Sequence, residues 1–413
     1  MEATVEITAT VKNVPAIRFP EFEGRWALKR FGTIVKRVSE PVKVKPDTLY
    51  QQIGIRSHGK GLFHKEFVDG KTLGNKRVFW VKEDALIVNI VFAWEQAVAK
   101  TTSGEIGMIA SHRFPMYMPV NNQSDINYLL YFFLTKKGKF LLELASPGGA
   151  GRNKTLGQKE FENLKFAIPT LSEQKKIASF LTIVDYKVQQ LRKKKELLEK
   201  YKKGVMQQIF SQQIRFKDDN GNEFPEWEEK KLVELCDVAK SGGTPTSTKK
   251  EYYDGDIPFL SISDMTAQGK YLEYTSNQIS QLGLKNSSAW IIPVNTIIYS
   301  MYASVGFVSI SKIPLATSQA VLNLIINKEY NTEFVYYSLV KIQESIAKFI
   351  TTGTQGNLNA QTVKGFLLKM PSIEEQTKIV NFLSSIDNKL NYTSKQLKQA
   401  QQFKKGMLQQ LFV

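Results

Sequence analysis

The sequence predicts an α+β chain: two globular, strand-rich bodies joined by two long helices that form a coiled coil, the whole a pseudo-twofold internal repeat. An ungapped duplication, a sustained apolar heptad and short β-branched runs lead to that class. PTLSEQKKIASFLTIVDYK from Pro169 returns 202 residues later as PSIEEQTKIVNFLSSIDNK from Pro371. At the same offset YKKGVMQQIF, ending at Phe210, returns as FKKGMLQQLF, ending at Phe412. Glu173 and Glu375, Gln174 and Gln376, Phe180 and Phe382, Asp185 and Asp387, Gly204 and Gly406, and Gln207 and Gln409 are identical pairs. Upstream, IRFPEFEGRWALKRFGTI from Ile17 resembles IRF at Ile214 followed by EFPEWEEKKLVEL from Glu223. Each half therefore reads as a lead-in, a body of about 140 residues and a shared exit of about 42. The bodies differ while their frames agree, which points to one scaffold carrying two readers. The expected division is a tail at 1–14, a body at 15–170, a helix at 171–213, a second body at 214–370 and a second helix at 371–413.

The exits justify the helices. Each opens on Pro followed by a capping-box pattern, Thr170 with Glu173 and Ser372 with Glu375, which satisfies N-terminal amides. In the first, Ile177, Val184, Leu191, Leu198 and Val205 recur every seven residues, with Leu181, Val188 and Ile209 at partner positions. In the second, Ile379, Ile386, Ala400 and Met407 go with Leu383, Leu390, Leu397 and Leu411. Lys195 and Lys202 interrupt the first seam, and Thr393 and Lys404 the second. Forty residues make a rod of about 60 Å. Two equivalent helices in one chain pair most naturally with each other, antiparallel or parallel.

The bodies read as mixed. ALIVNIVFAW from Ala85, IIPVNTIIYSMY from Ile291 and AVLNLIINK from Ala320 have strand character. DINYLLYFFLTKKGKFLLELAS from Asp125 and NTEFVYYSLVKIQESIAKFI from Asn331 have helical spacing, with caps at Asp125 and at Asn331 or Thr332. The Gly-rich turns PGGAGRNKTL and TTGTQGNLN end the two bodies at equivalent places.

Composition narrows the function. Fifty-six basic against thirty-nine acidic residues leave +17, which favours a polyanionic partner, most often nucleic acid. The charge is front-loaded: +10 over 15–170 and +8 over 171–217, against −3 over 218–370. A single cysteine, Cys236, makes no internal disulfide, and with His58, His64 and His112 it assembles no Cys/His zinc site, so a reduced, cytoplasmic protein is expected. The most apolar run, Ala85 to Trp94, is too short for a bilayer, and the opening residues lack a secretory pattern.

Catalytic motifs are missing. GIRSHGKG from Gly54 has the skeleton of a phosphate loop, but Gly61 stands where a Ser or Thr must hold magnesium. It reads instead as a basic loop whose Arg56 and Lys60 meet a phosphodiester backbone. Neither an Asn/Asp-Pro-Pro-aromatic tetrad nor a glycine-rich methyl-donor turn is present. Binding chemistry remains, which needs Arg, Lys, Asn, Gln and hydroxyl groups on rigid supports. The candidates are Arg56, Lys60, Lys76, Arg77, Arg113, Arg152 and Lys154 in the first body, and Thr244, Ser247, Lys249, Lys250, Tyr302, Ser318 and Gln319 in the second. The competing reading is a non-catalytic coiled-coil scaffold with an incidental basic surface.

SGGTPTSTKKEYYDGDIPFLSISDM from Ser241, GIRSHGKGLF from Gly54 and the two [LI]xEQxKI helix starts resemble the specificity subunit of type I restriction-modification enzymes, over residues 15–413. The resemblance implies two target recognition domains, each reading one half of a split double-stranded DNA site, and an antiparallel pair of conserved helices that sets the gap. It implies docking of two methyltransferase subunits, which bind S-adenosylmethionine and methylate adenine N6, and of motor-nuclease restriction subunits. It also implies that catalysis and its cofactors, ATP and Mg among them, belong to those partners, with none in this chain.

Overall fold

In a computed structural model, residues 13–148, 154–343 and 358–413 are described. They fall into two compact units, Met1–Lys193 with Ser394–Val413, and Lys194–Thr393.

In the first unit, Val35–Val38, Met116–Pro119, Leu86–Val88 and Val98–Lys100 form an antiparallel sheet in that order. A second sheet runs Leu62–Asp69, Leu49–Ile55, Ile109–Ser111 and Val78–Trp80, with 49–55 parallel to 109–111. The lead-in strand Ala27–Arg30 pairs antiparallel with Lys165–Ile168, the strand that feeds the first long helix, Leu171–Phe210. The core is aromatic: Phe31, Tyr128, Phe132, Phe133, Phe161 and Phe166 are fully buried, and Phe132 stacks on Phe166 at 4.4 Å. Ile177, Ala178 and Leu181 of the long helix close this core, as do Leu411 and Phe412.

The second unit repeats the plan with other strands. Cys236–Ser241, Val321–Ile326, Ile297–Ser300, Val308–Ser311 and Tyr271–Leu272 form a five-stranded sheet, and Asn277–Ile279, Ile257–Phe259, Leu315–Ala316 and Ile291–Ile292 a four-stranded one. Glu228–Lys231 pairs with Leu367–Met370, just before the second long helix, Ile373–Gln410. Val205, Met206, Ile209, Ile379, Leu383 and Ile386 share a core with Phe334, Tyr337 and Tyr299.

Each unit contains the beginning of one long helix and the end of the other, so within each unit they run antiparallel. In the first, Phe180 meets Phe403 edge to face and Asp185 bonds Lys404 at 2.5 Å. In the second, Lys202 bonds Asp387 at 2.6 Å.

Several local expectations are corrected. The run from Ala85 is a strand only over Leu86–Val88, because the Asn89 side chain accepts the Val91 N–H and turns the chain. The run from Ile291 is two strands divided at Pro293–Thr296. The segment from Asp125 is two helices, Ile126–Leu134 and Lys136–Leu144, because Thr135 ends the first and caps the second, accepting the Gly138 N–H. Asn331 rather than Thr332 caps Thr332–Gln343, accepting from Glu333 and Phe334. The capping boxes are half formed. Thr170 and Ser372 accept the N–H of Glu173 and Glu375 at 3.4 Å, but the two carboxylates are spent elsewhere. The Gly-rich turns lie largely outside the described residues, as does most of the tail.

Candidate nucleic-acid interface

A reader must first be held. Glu173 is buried and receives Arg18 in a two-pronged bond at 2.8 and 2.7 Å and the Trp26 indole N–H at 3.2 Å. Glu375, equally buried, receives Arg215 at 3.3 and 2.8 Å and the Trp227 indole at 3.0 Å. Each lead-in is thus clasped to the start of its long helix by a charge-assisted Arg–carboxylate fork. The adjoining glutamine fastens the body: Gln174 accepts the Asp125 N–H and donates to the Pro169 carbonyl, while Gln376 accepts the Asn331 N–H and donates to Pro371. About three turns further along each helix, Tyr131 donates to Asp185 and Tyr337 to Asp387, the carboxylates that also hold Lys404 and Lys202. The second clasp carries an addition, Lys270, bonded to Glu333 and Tyr337 at 2.8 Å each. Burial pushes its ammonium below the ordinary value, although Glu333 and Asp387 pull the other way.

The sheets of each unit end in loops. In the first unit 49–55 and 109–111 are parallel and 78–80 is antiparallel to 109–111, so the loops after Ile55, after Ser111 and before Val78 emerge at one end. That end carries Arg56, Lys60, Lys76, Arg77 and Arg113, all exposed. Backbone bonds knit the loops together: His112 donates to Arg77, Ile90 to Arg113, Leu156 to Ile90, His58 to Glu95 and Gly59 to Gln96. The last of these bring in Lys154, whose ammonium lies 5.9 Å over the Trp94 ring. The sequence 54–61 is a hairpin turn between strands, with positive φ at His58, Gly59 and Gly61, rather than a strand-to-helix phosphate loop. Arg56 spends one guanidinium N–H on the Leu62 carbonyl at 2.6 Å and covers Phe63. Arg152 lies outside the described residues.

In the second unit Ser241 pairs with Leu322, Ser300 with Val321 and Tyr299 with Val308, so the loops after Ser241, after Ser300 and before Val321 share one sheet end. They carry the seven candidates Thr244, Ser247, Lys249, Lys250, Tyr302, Ser318 and Gln319. Gly242 and Gly243 press against the Thr317 carbonyl and Ser288 so closely that a Cβ at either would overlap them. That contact pins the loop and sets Thr244, which donates to Gln319 at 2.6 Å. Lys249 lies over Tyr252 and bonds its hydroxyl at 3.2 Å. Ser318 is half-buried and accepts the Ala320 N–H; Ser247, Lys250 and Tyr302 are exposed.

The seam residues divide. Ile177, Leu181, Val188, Leu191, Val205, Ile379, Leu383 and Ile386 are buried, whereas Val184, Leu198, Leu390, Leu397 and Met407 are half-buried. Ile177, Leu181 and Met407 belong to the core of the first unit, and Val205, Ile379, Leu383, Ile386 and Leu390 to that of the second, so the heptad face serves the bodies as well as the helix partner. Sequence reading missed Arg18, Trp26, Arg215 and Trp227 as clasp residues; their recurrence in both lead-ins was the available signal. It also missed Trp94 and His112, which only the fold brings to the basic loops.

Among the described residues no cluster of three or more His, Cys, Asp or Glu could hold a metal ion, and no helix is long and apolar enough to cross a membrane. Burial pushes the Cys236 thiol up to about 12, which suits packing rather than nucleophilic chemistry.

The family model for the type I restriction modification DNA specificity domain matches residues 73–200 and 225–402. The type I restriction enzyme MjaVIII specificity subunit of Methanocaldococcus jannaschii is 24% identical over 418 residues, 96% of this chain and 93% of the relative. The MjaIX specificity subunit of the same organism is 32% identical over 191 residues, which span 45% of this chain and 44% of the relative. The crystal structure of the type I restriction-modification system S subunit from M. genitalium aligns with a TM-score of 0.62 at 15% identity, over 97% of this chain and 99% of that one, a likeness of fold.

Proposed function

This chain belongs to the type I restriction modification DNA specificity domain family, and from that premise we propose that it is the non-catalytic DNA-reading subunit of a type I restriction-modification complex, acting on a bipartite target. The observation that carries this reading is the duplication itself: two equivalent clasps hold bodies with two dissimilar loop ends. A chain that needed one binding surface, or two copies of one, has no use for that combination.

Each body reads one half-site through its loop end. Arg56, Lys60, Lys76, Arg77, Arg113, Arg152 and Lys154 meet phosphates and base edges in the first; Thr244, Ser247, Lys249, Lys250, Tyr302, Ser318 and Gln319 do so in the second. A good bidentate base contact supplies about 1–3 kcal/mol of discrimination, while the lysines supply sequence-independent, salt-sensitive affinity. The long helices set the gap between half-sites and offer their outer faces to two methyltransferase subunits and to restriction subunits. S-adenosylmethionine, ATP and Mg are bound by those partners, and the complex works in the cytoplasm.

The test is single-molecule sequencing for N6-methyladenine in DNA from cells making this chain together with its methyltransferase partner, against cells without this chain. A split motif that depends on the chain is the expected result. A folded, bound partner with no motif would favour the scaffold reading instead.

A further inference from the structure

In the first unit a groove of about 340 Å³ opens where the hairpin His58–Gly59, the residues around Thr135–Lys136 and the last turns of the second long helix meet. Its polar wall is cationic: Lys136, Lys404 and Lys405 line it with Gln401 and His58, and among the described residues no carboxylate does. Asp185 answers Lys404 at 2.5 Å from outside the groove. Lys136 and Lys405 are exposed, and among the described residues neither is ion-paired. The hairpin that forms one wall carries Arg56 and Lys60, so the groove continues the basic loop end described above.

The duplication supplies an internal comparison. Gln401, Lys404 and Lys405 lie 202 residues after Glu199, Lys202 and Lys203, which line a groove of about 300 Å³ in the second unit together with Lys341. There the position of Gln401 is a carboxylate. Field lines focus in a concave site of one sign, and only the first groove has one.

Resting on the function proposed above, we propose that the first groove is a phosphodiester-backbone site, so that the end of the second long helix, through Lys405, and Lys136 hold the DNA whose half-site the first body reads. The contact is to phosphate and carries no sequence information. It places a positioning residue of the first reader at the far end of the sequence.

The experiment titrates duplex DNA containing the target with the full chain bound to its methyltransferase partner, over a range of salt. Each phosphate contact contributes about 0.9 to the slope of log K against log salt. Lys136→Gln with Lys405→Gln is expected to lower that slope by about 1.8, so that between 50 and 200 mM salt the variant loses about tenfold less affinity than the parent, equally on target and non-target DNA. The methylated motif stays the same, and Lys136→Arg with Lys405→Arg keeps the parental slope. An unchanged slope in the Gln variant overturns the site. So does a fall of about 0.9 for Lys203→Gln at the repeat-equivalent position, the share expected of one phosphate contact, which would mark a general charge effect. So does loss of the methyltransferase partner with DNA binding intact, which would assign the groove to an acidic protein segment. If the parent complex itself binds DNA without salt dependence, it is the DNA-reading function that fails rather than the groove.

Discussion

Glu173 and Glu375 are one residue written twice, and each is the point where a body is tied to a helix. A carboxylate this buried is tolerable because an arginine fork and an indole meet it; with the fork removed, the penalty of the orphaned charge stands alone. Glu375→Ala removes both prongs of the fork and the Trp227 bond, leaving Arg215 the Phe224 and Pro225 carbonyls and Glu226, and the expected cost is about 3 kcal/mol in urea unfolding monitored on the second unit. A loss below about 1 kcal/mol would class the fork with exposed ion pairs, whose worth is small. The pairing of Glu173 with Arg18 was not readable beforehand, since 155 residues separate them. What could be read was that Arg, Trp and Glu recur together in both halves, and that recurrence is what the clasp explains.

At the scale of the element, the lysines that spoil the heptad are informative. Lys202 and Lys404 sit where a seam wants an apolar residue, and each meets the aspartate of the other helix, Asp387 and Asp185. An antiparallel pair of identical repeats requires this reciprocity: if position 202 faces 387, then 404 faces 185. A parallel pair would set Lys202 beside Lys404 and repel. Asp185→Lys is expected to destabilise the first unit, and Asp185→Lys with Lys404→Asp to recover most of the loss, with a coupling of about 1 kcal/mol in a double-mutant cycle. The same exchange at Lys202 and Asp387 recovers less, because Asp387, unlike Asp185, also lies 3.9 Å from a second lysine, Lys270. Absence of coupling at both sites would remove the ion pairs as the source of helix orientation. The periodicity of the helices was legible because 3.5-residue spacing survives any tertiary context. The break at Thr135 was not, because apolar spacing continues through it and only the Gly138 bond reveals the turn.

For the whole molecule the two readers and their spacer are separable in the chain, and so are their expected phenotypes. Replacing the 241–250 loop changes one half of the methylated motif and leaves the other half and the gap as they were. Inserting one helical turn of four residues into both long helices lengthens the gap and leaves both half-sites unchanged. Methylome sequencing reads both outcomes, and a gap indifferent to the insertion would end the proposed role of the helices as a ruler.

By itself the sequence determined the duplication, the two long helices with their starting points, the difference between the bodies and the basic character of the first. These are properties of order and composition, written in consecutive residues and periods of a few positions. Periodicity left the direction of the helices open; the tertiary structure makes them antiparallel within each unit, as the family resemblance implies, and it alone decided that their heptad face also closes the cores of the bodies and that Arg56, Lys76 and Arg113 share one sheet end with His112, beside the turn that carries Trp94. Strand order and direction make those choices. The parallel pairing of 49–55 with 109–111 sets Gln52 beside Ile109, 57 positions on, and brings their following loops to the same end of the sheet, and no local pattern records which distant strand will lie alongside.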